Sequence, residues 1–245
     1  MLRKCFPNVF EQMSSIIPEN QNSIYSTKYQ INLKGLLLFE TISLYGRLFL
    51  SSCPKLNQDN QNYLHIGCGV NKFEGWINAD FFAGLKPWKK YENRPDWMLD
   101  LRFSLNCEDN SWDGVFTEHT LEHLYPIHAL NLIKELHRTM KSKAWIRVTV
   151  PDLKKYVNYY CGEKVDDNFL RWSTGCEAIR SLTQNYIHLS VWDSKLLGHL
   201  LQEVGFINIK EVSFMEGTDP TLLKDRKERQ WETLYMEAQK PGDTK

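Results

Sequence analysis

The segment Tyr63-Leu64-His65-Ile66-Gly67-Cys68-Gly69 constrains the fold of this chain more than any other. A run of strand character enters a small-residue turn directly. Glycine at 67 and 69 lets the backbone turn tightly and approach a ligand with no Cβ in the way. Many strands end in a G-x-G, so its meaning depends on the residues downstream. From Tyr63 onward short apolar runs alternate with helical patterns, which predicts βαβ units and a parallel α/β sheet. The expected strands are Tyr63 to Ile66, Trp76 to Ala79, Trp97 to Leu101, Gly114 to Thr117 and Trp145 to Val150, with a late pair at Ile207 to Phe214 and Leu234 to Gln239. One helix is expected from Pro126, a residue suited to the first helical position, to about Met140. Another runs over Ser194 to Val204 and closes at Gly205, a left-handed capping position.

Two acids fall at expected strand ends. Asp80 closes Gly75-Trp76-Ile77-Asn78-Ala79-Asp80, and Asp100 closes Leu99-Asp100-Leu101. In open α/β sheets ligands bind beyond the carboxyl ends of the strands, where an acid can accept hydrogen bonds from both ribose hydroxyls. The glycine turn and the two acids, in that order, are more specific together than any one alone.

The 245 residues suffice for one sizeable core and a short appendage. Residues 1–60 read as an extension: a polar stretch, then one amphipathic helix at Leu36 to Leu50, then a linker rich in Asn and Gln. That helix contains Glu40, Gly46 and Arg47 and is too short to span a bilayer. It packs on the domain, pairs with a second copy in a homodimer, or lies on a membrane surface. No transmembrane segment is expected. Thirty basic side chains balance thirty acidic ones, so no nucleic-acid partner is expected. The six scattered cysteines form no C-x-x-C pair. With no apolar signal core after Lys4, the expected setting is the cytoplasm, with free thiols.

The order HIGCG, GWINAD, LDLR, then Trp112-Asp113-Gly114-Val115-Phe116 and Glu118-His119-Thr120-Leu121-Glu122-His123 resembles class I S-adenosylmethionine (SAM)-dependent methyltransferases. It is most similar to small bacterial members sharing GW-I-N-x-D and H-x-L-E-H patterns, and Val148 to Leu153 and Val204-Gly205-Phe206 extend the likeness. The resemblance covers about Tyr63 to Gln239. It implies a Rossmann-like, doubly wound, mostly parallel seven-stranded sheet with an antiparallel last strand, over residues 61–245, and a substrate cover inserted at about 153–190. It further implies that Gly67, Cys68 and Gly69 wrap the methionine part of SAM and Asp80 holds the ribose. Asp100 and Leu101 would border the adenine, and Glu118 would close the pocket. The chain departs from the pattern at His65, where an acid that contacts the cofactor is usual. It departs again at Lys141-Ser142-Lys143-Ala144, where a Pro-Gly-Gly turn is usual.

Candidate catalytic residues near the pocket mouth are His119, Asp152 and His188, with His123 beside them. The Asn/Asp-Pro-Pro-aromatic loop of amine methylation in this fold is replaced by Glu118-His119, which favours an oxygen acceptor on a small molecule or glycan precursor. His119, Glu122 and His123 fall on one face if helical, and with His188 they form a candidate divalent-metal set. Methyltransferases acting on the terminal ribose of small RNAs carry a Glu-x-x-Glu-His metal motif here. The alternative is that Glu122 and His123 only pack a short helix. The same string matches H-x-x-E-H metal-dependent peptidases, and a third reading keeps the fold as a non-catalytic binding or regulatory protein. Tyr156, Tyr159, Tyr160, Trp172 and Tyr186 either stack on a flat acceptor or pack the insertion down. The run Lys224 to Arg229 reads as a solvated connection.

Overall fold

The computed structural model describes residues 33–57, 60–81 and 94–242. The chain enters with helix α1 (Leu33–Phe49) and then forms β1 (Tyr63–Ile66), β2 (Ile77–Asp80), β3 (Trp97–Met98) and β4 (Trp112–Glu118). Helix α2 (Pro126–Thr139) leads into β5 (Met140–Pro151), followed by α3 (Leu153–Tyr160), α4 (Gly175–Gln184) and α5 (Ser194–Val204). Strands β6 (Ile207–Val212) and β7 (Thr233–Gln239) complete the domain.

The seven strands lie in the order β3-β2-β1-β4-β5-β7-β6. All neighbours from β3 to β5 are parallel, and β7 runs antiparallel to both β5 and β6. This is the Rossmann-like sheet expected from the sequence. The chain winds outward from β1 to β3 and returns beside β1 as β4, so the order reverses between β1 and β4. At such a switch point the loops leave the sheet in opposite directions and open a crevice.

Alternation sorts the side chains. Leu64 and Ile66, Val115, Ile146 and Val148, and Met236 and Ala238 join one core with Leu132, Ile133 and Leu136 of α2 and Leu197 and Leu201 of α5. On the other face His65, Phe116, Arg147 and Glu237 lie in register across four strands. That face is covered by Phe73, Trp76 and the connection between β6 and β7.

Several boundaries differ from expectation. Strand β3 ends at Met98, so Asp100 lies in the loop beyond it. Strand β5 begins at Met140, directly after α2, and Lys141 to Ala144 is strand instead of turn. Met140 pairs with Trp112, and Lys143 and Ala144 exchange backbone hydrogen bonds with Lys240, so the sheet ladder captures this polar stretch. Gly205 is left-handed at φ 104°, as expected.

Helix α1 docks over the carboxyl ends of β2 and β3. Phe39 stacks on Phe81 at 4.4 Å, Ile42 packs with Met98 and Ile187, and Ser43 is buried. Its opposite face leaves Leu37, Leu44, Leu48 and Phe49 exposed. No described helix is long and apolar enough to cross a membrane. In the insertion, Tyr156, Phe169, Ala178 and Leu182 are buried together, with Trp172 and Trp231 against them. Tyr156 donates to Glu232 at 2.6 Å and Tyr159 to the Trp172 carbonyl at 2.5 Å. These aromatics hold the insertion to the domain, whereas Tyr160 and Tyr186 remain exposed.

Candidate cofactor site

The turn after β1 is left-handed at Gly67 (φ +73°) and Gly69 (φ +54°). Gly67 and Cys68 donate their N–H groups to the Ala79 carbonyl, which fastens the turn to β2. A Cβ on Gly67 would lie 1.9 Å from Thr120 Oγ1. On Gly69 a Cβ meets nothing within 4 Å, so the second glycine borders open space at the switch point. Burial pushes the Cys68 thiol up to about 12, so it stays protonated.

Asp80 stands at the end of β2, across from the turn. Its carboxylate accepts Gly69 N and Phe81 N, each at 2.5 Å. Burial raises its carboxyl above the ordinary range, partly offset by these amides and by His123 nearby. Asn78, two residues earlier, is a structural hub. Its side chain accepts Phe73 N and donates to the Phe73 and Trp76 carbonyls and to Asp96. The asparagine of GWINAD therefore shapes the approach to β2, a role that no local sequence signal announces.

Asp100 is fully engaged. Ser43 of α1 donates to it at 2.5 Å, and Arg102 donates from its backbone and its guanidinium. Arg102 also holds Glu40 of α1 at 2.6 Å. Burial opposes the charge on Asp100, but Arg102 and Ser43 outweigh it and hold the carboxyl below its usual range. Leu101 packs against the main core. The extension thus roofs the loop expected to border adenine.

Glu118, at the end of β4, accepts the Arg226 backbone N–H at 3.0 Å and pairs with its guanidinium. This corrects the reading of Lys224 to Arg229 as a solvated connection: Arg226 is tied to Glu118, and Asp225 is buried against Arg147. Burial of the two carboxylates demands these cations.

His65 lies inside the fold. It stacks on Phe73 at 4.2 Å, meets Phe116 edge-on and contacts Asn78 Oδ1 at 3.4 Å. Burial lowers its imidazole to about 4, with an opposing effect from Asn78 and a further lowering by Arg226. The unfolded chain, with His65 near its ordinary 6.5, then binds more protons below neutrality, so stability falls as pH drops from about 6.5 toward 4. Between pH 7 and 5 the expected loss from this group is about 2 kcal/mol. Urea titrations at the two pH values check it, and His65→Phe should remove this part of the loss. An unchanged pH dependence in His65→Phe would contradict the burial argument.

The histidine-rich segment departs from a helix. His119 takes φ +51° and precedes a 3-10 turn of only Leu121–His123. Its Nε2 contacts Thr233 Oγ1 at 2.8 Å, and its Nδ1 lies 3.3 Å from Glu122 Oε1. Glu122 is 1 % exposed, and neither carboxylate oxygen accepts a hydrogen bond. Burial opposes its charge, but the close approach of His119 Nδ1, and positive charge on His119, His123 and His188 when they carry a second proton, hold the carboxyl below its usual range. Glu122, His123 and His188 each place one ligating atom within 4.8 Å of the others, and His119 lies outside that group. This removes the paired histidines of the H-x-x-E-H reading. Asp152 caps α3 by accepting Lys154 N at 3.0 Å.

No family model matches the chain, and no curated protein matches it. Among solved structures it is similar to a SAM-dependent methyltransferase from Thermotoga maritima, at 15% identity and TM-score 0.49, covering 82% of this chain and 89% of that one. One from Archaeoglobus fulgidus gives 18% identity and TM-score 0.45 over 82% and 94% of the two chains. One from Methanosarcina mazei gives 18% and 0.46 over 76% and 95%. The chain spans about half the length of several others it matches. With TM-scores under 0.5 these likenesses add nothing to the strand order.

Proposed function

We propose that this chain is a SAM-dependent methyltransferase acting on a small molecule or glycan precursor, at an oxygen atom. The observation that carries the reading is the pairing of an open, left-handed Gly69 with the half-buried Asp80 carboxylate across the switch point. A turn with no Cβ facing open space fits a ligand that approaches the backbone closely. A half-buried acid at the end of β2 fits a pair of ribose hydroxyls. Asp80 here accepts from two amides and would exchange one of them for a sugar hydroxyl. Gly67 and Cys68 keep the turn anchored on Ala79 while the ligand is held.

The cofactor's sulfonium supplies an activated methyl group, so the protein's task is to position the acceptor and exclude water. Helix α1 serves the second purpose by closing the side over Phe81 and Asp100. The oxygen preference rests on Glu118-His119 standing at the end of β4, where Glu118 is held by Arg226. A thermal-shift comparison tests the cofactor class. S-adenosylhomocysteine should raise the melting temperature in a saturable way, and NAD+ should not. Stabilisation by NAD+ alone would replace this reading with a dinucleotide enzyme.

A further inference from the structure

We propose that Glu122, His123 and His188 bind one divalent transition-metal ion of the zinc class, with coordination positions left open to an oxygen ligand. The first observation is the buried Glu122 carboxylate with no hydrogen-bond partner, beside two histidines whose ligating atoms lie within 4.8 Å. A buried carboxylate without donors is costly, and a cation is one of the few groups that relieves it.

The second is the orientation of the two rings. His188 Nδ1 lies 2.6 Å from the Leu182 carbonyl, and His123 Nδ1 lies 3.4 Å from the Ile187 carbonyl. Each carbonyl selects the tautomer with the proton on Nδ1 and leaves the Nε2 lone pair for a ligand. Metal-binding histidines are held in this way, by an outer carbonyl on the second nitrogen. The backbone fixes the set: Leu189 and Ser190 both donate to the Glu122 carbonyl, which ties the His188 segment to the turn carrying the other two residues.

The third concerns His119, the ring nearest Glu122 outside the set. Thr233 gives its hydroxyl proton to the Arg229 carbonyl at 2.6 Å, so toward His119 Nε2 it accepts. His119 Nε2 therefore donates to Thr233, and its Nδ1, 3.3 Å from Glu122 Oε1, makes no hydrogen bond to that carboxylate. The ion takes the place of the missing donor. Metal–ligand bonds of about 2.0–2.2 Å require the three atoms to close to about 3.3 Å, a side-chain adjustment. His123 is exposed, so the site has a route from solvent. Two imidazoles and one carboxylate suit zinc or cobalt better than magnesium, and three protein ligands leave room for a further oxygen.

Metal binding at this cluster does not depend on the cofactor, and the test uses the metal alone. The full chain, stripped with chelator and dialysed, is titrated with Co2+ while the visible d–d absorption is followed. Elemental analysis then counts zinc after equilibration. The expected result is one ion per chain, with affinity lowered by His123→Ala and by His188→Ala beyond the roughly 10- to 100-fold that loss of an outer partner alone costs. His119→Gln should leave the cobalt spectrum in place. Folded wild-type protein that binds neither ion would overturn the proposal and leave Glu122 with His119 as its neighbour. Equal binding by both alanine variants, or loss only in His119→Gln, would overturn it too. S-adenosylhomocysteine binding, measured on the same samples, reports the cofactor reading separately.

Discussion

Asp225→Ala is expected to destabilise the domain by about 3–5 kcal/mol, because it strands a buried guanidinium in the middle of the sheet. Arg147 on β5 is 1 % exposed, and its fork meets Asp225 at 2.7 and 2.5 Å. Its remaining donors reach the Glu216 and Ser213 carbonyls at 2.8 and 3.1 Å, and Asp225 also accepts Met215 N at 2.7 Å. One ion pair thus pins the whole β6–β7 connection to the sheet. Removing both charges is a different matter: Arg147→Met with Asp225→Leu should recover most of the loss, since a packed apolar pair often replaces a buried ion pair at little cost. Urea denaturation of the two single variants and the double variant gives the cycle. A loss under about 1 kcal/mol in Asp225→Ala would show the pair to be dispensable. The connection also carries Arg226 against Glu118, so Asp225→Ala should loosen the pocket rim as well.

Gly67→Ala should cost about 3–4 kcal/mol, combining the left-handed penalty with overpacking against Thr120. The built Cβ sits 1.9 Å from Thr120 Oγ1 and 2.8 and 2.9 Å from its other side-chain atoms. Adding Thr120→Gly removes the clash and should return the larger share, leaving the backbone penalty. Gly69→Ala separates stability from binding. With nothing within 4 Å it carries only the φ cost, about 1–2 kcal/mol, yet its methyl intrudes where the cofactor is proposed to lie. Chemical denaturation should rank Gly67→Ala as the more destabilised. S-adenosylhomocysteine titration should rank Gly69→Ala as the weaker binder among the folded variants. The reverse ranking would place the ligand elsewhere.

The elements that could be read from sequence are those whose signals are local. Strand β1 with its glycine turn, Asp80 at the end of β2, Pro126 opening α2 and Gly205 closing α5 each follow from backbone chemistry within a few residues. The misread positions depend on partners distant in the chain. Lys141 to Ala144 looks like a turn until Trp112 and Lys240 pair with it. Lys224 to Arg229 looks solvated until Arg147 and Glu118 claim its members Asp225 and Arg226. Helical spacing groups His119 with Glu122 and His123, but its left-handed φ of +51° lies before a turn of three residues, so the spacing does not apply. Nothing in residues 33–49 indicates that Ser43 would reach Asp100, because that contact spans 57 positions.

Whether the crevice between the glycine turn and Asp80 is a SAM site is decided by calorimetric titration with SAM and S-adenosylhomocysteine, on wild type and Asp80→Ala. Saturable single-site binding to the wild type is expected. The variant should bind about 10- to 100-fold more weakly, the loss that accompanies removal of hydrogen bonds to a charged acceptor. Folded wild-type protein that binds neither compound, or an Asp80→Ala variant that binds both with unchanged affinity, would contradict the assignment.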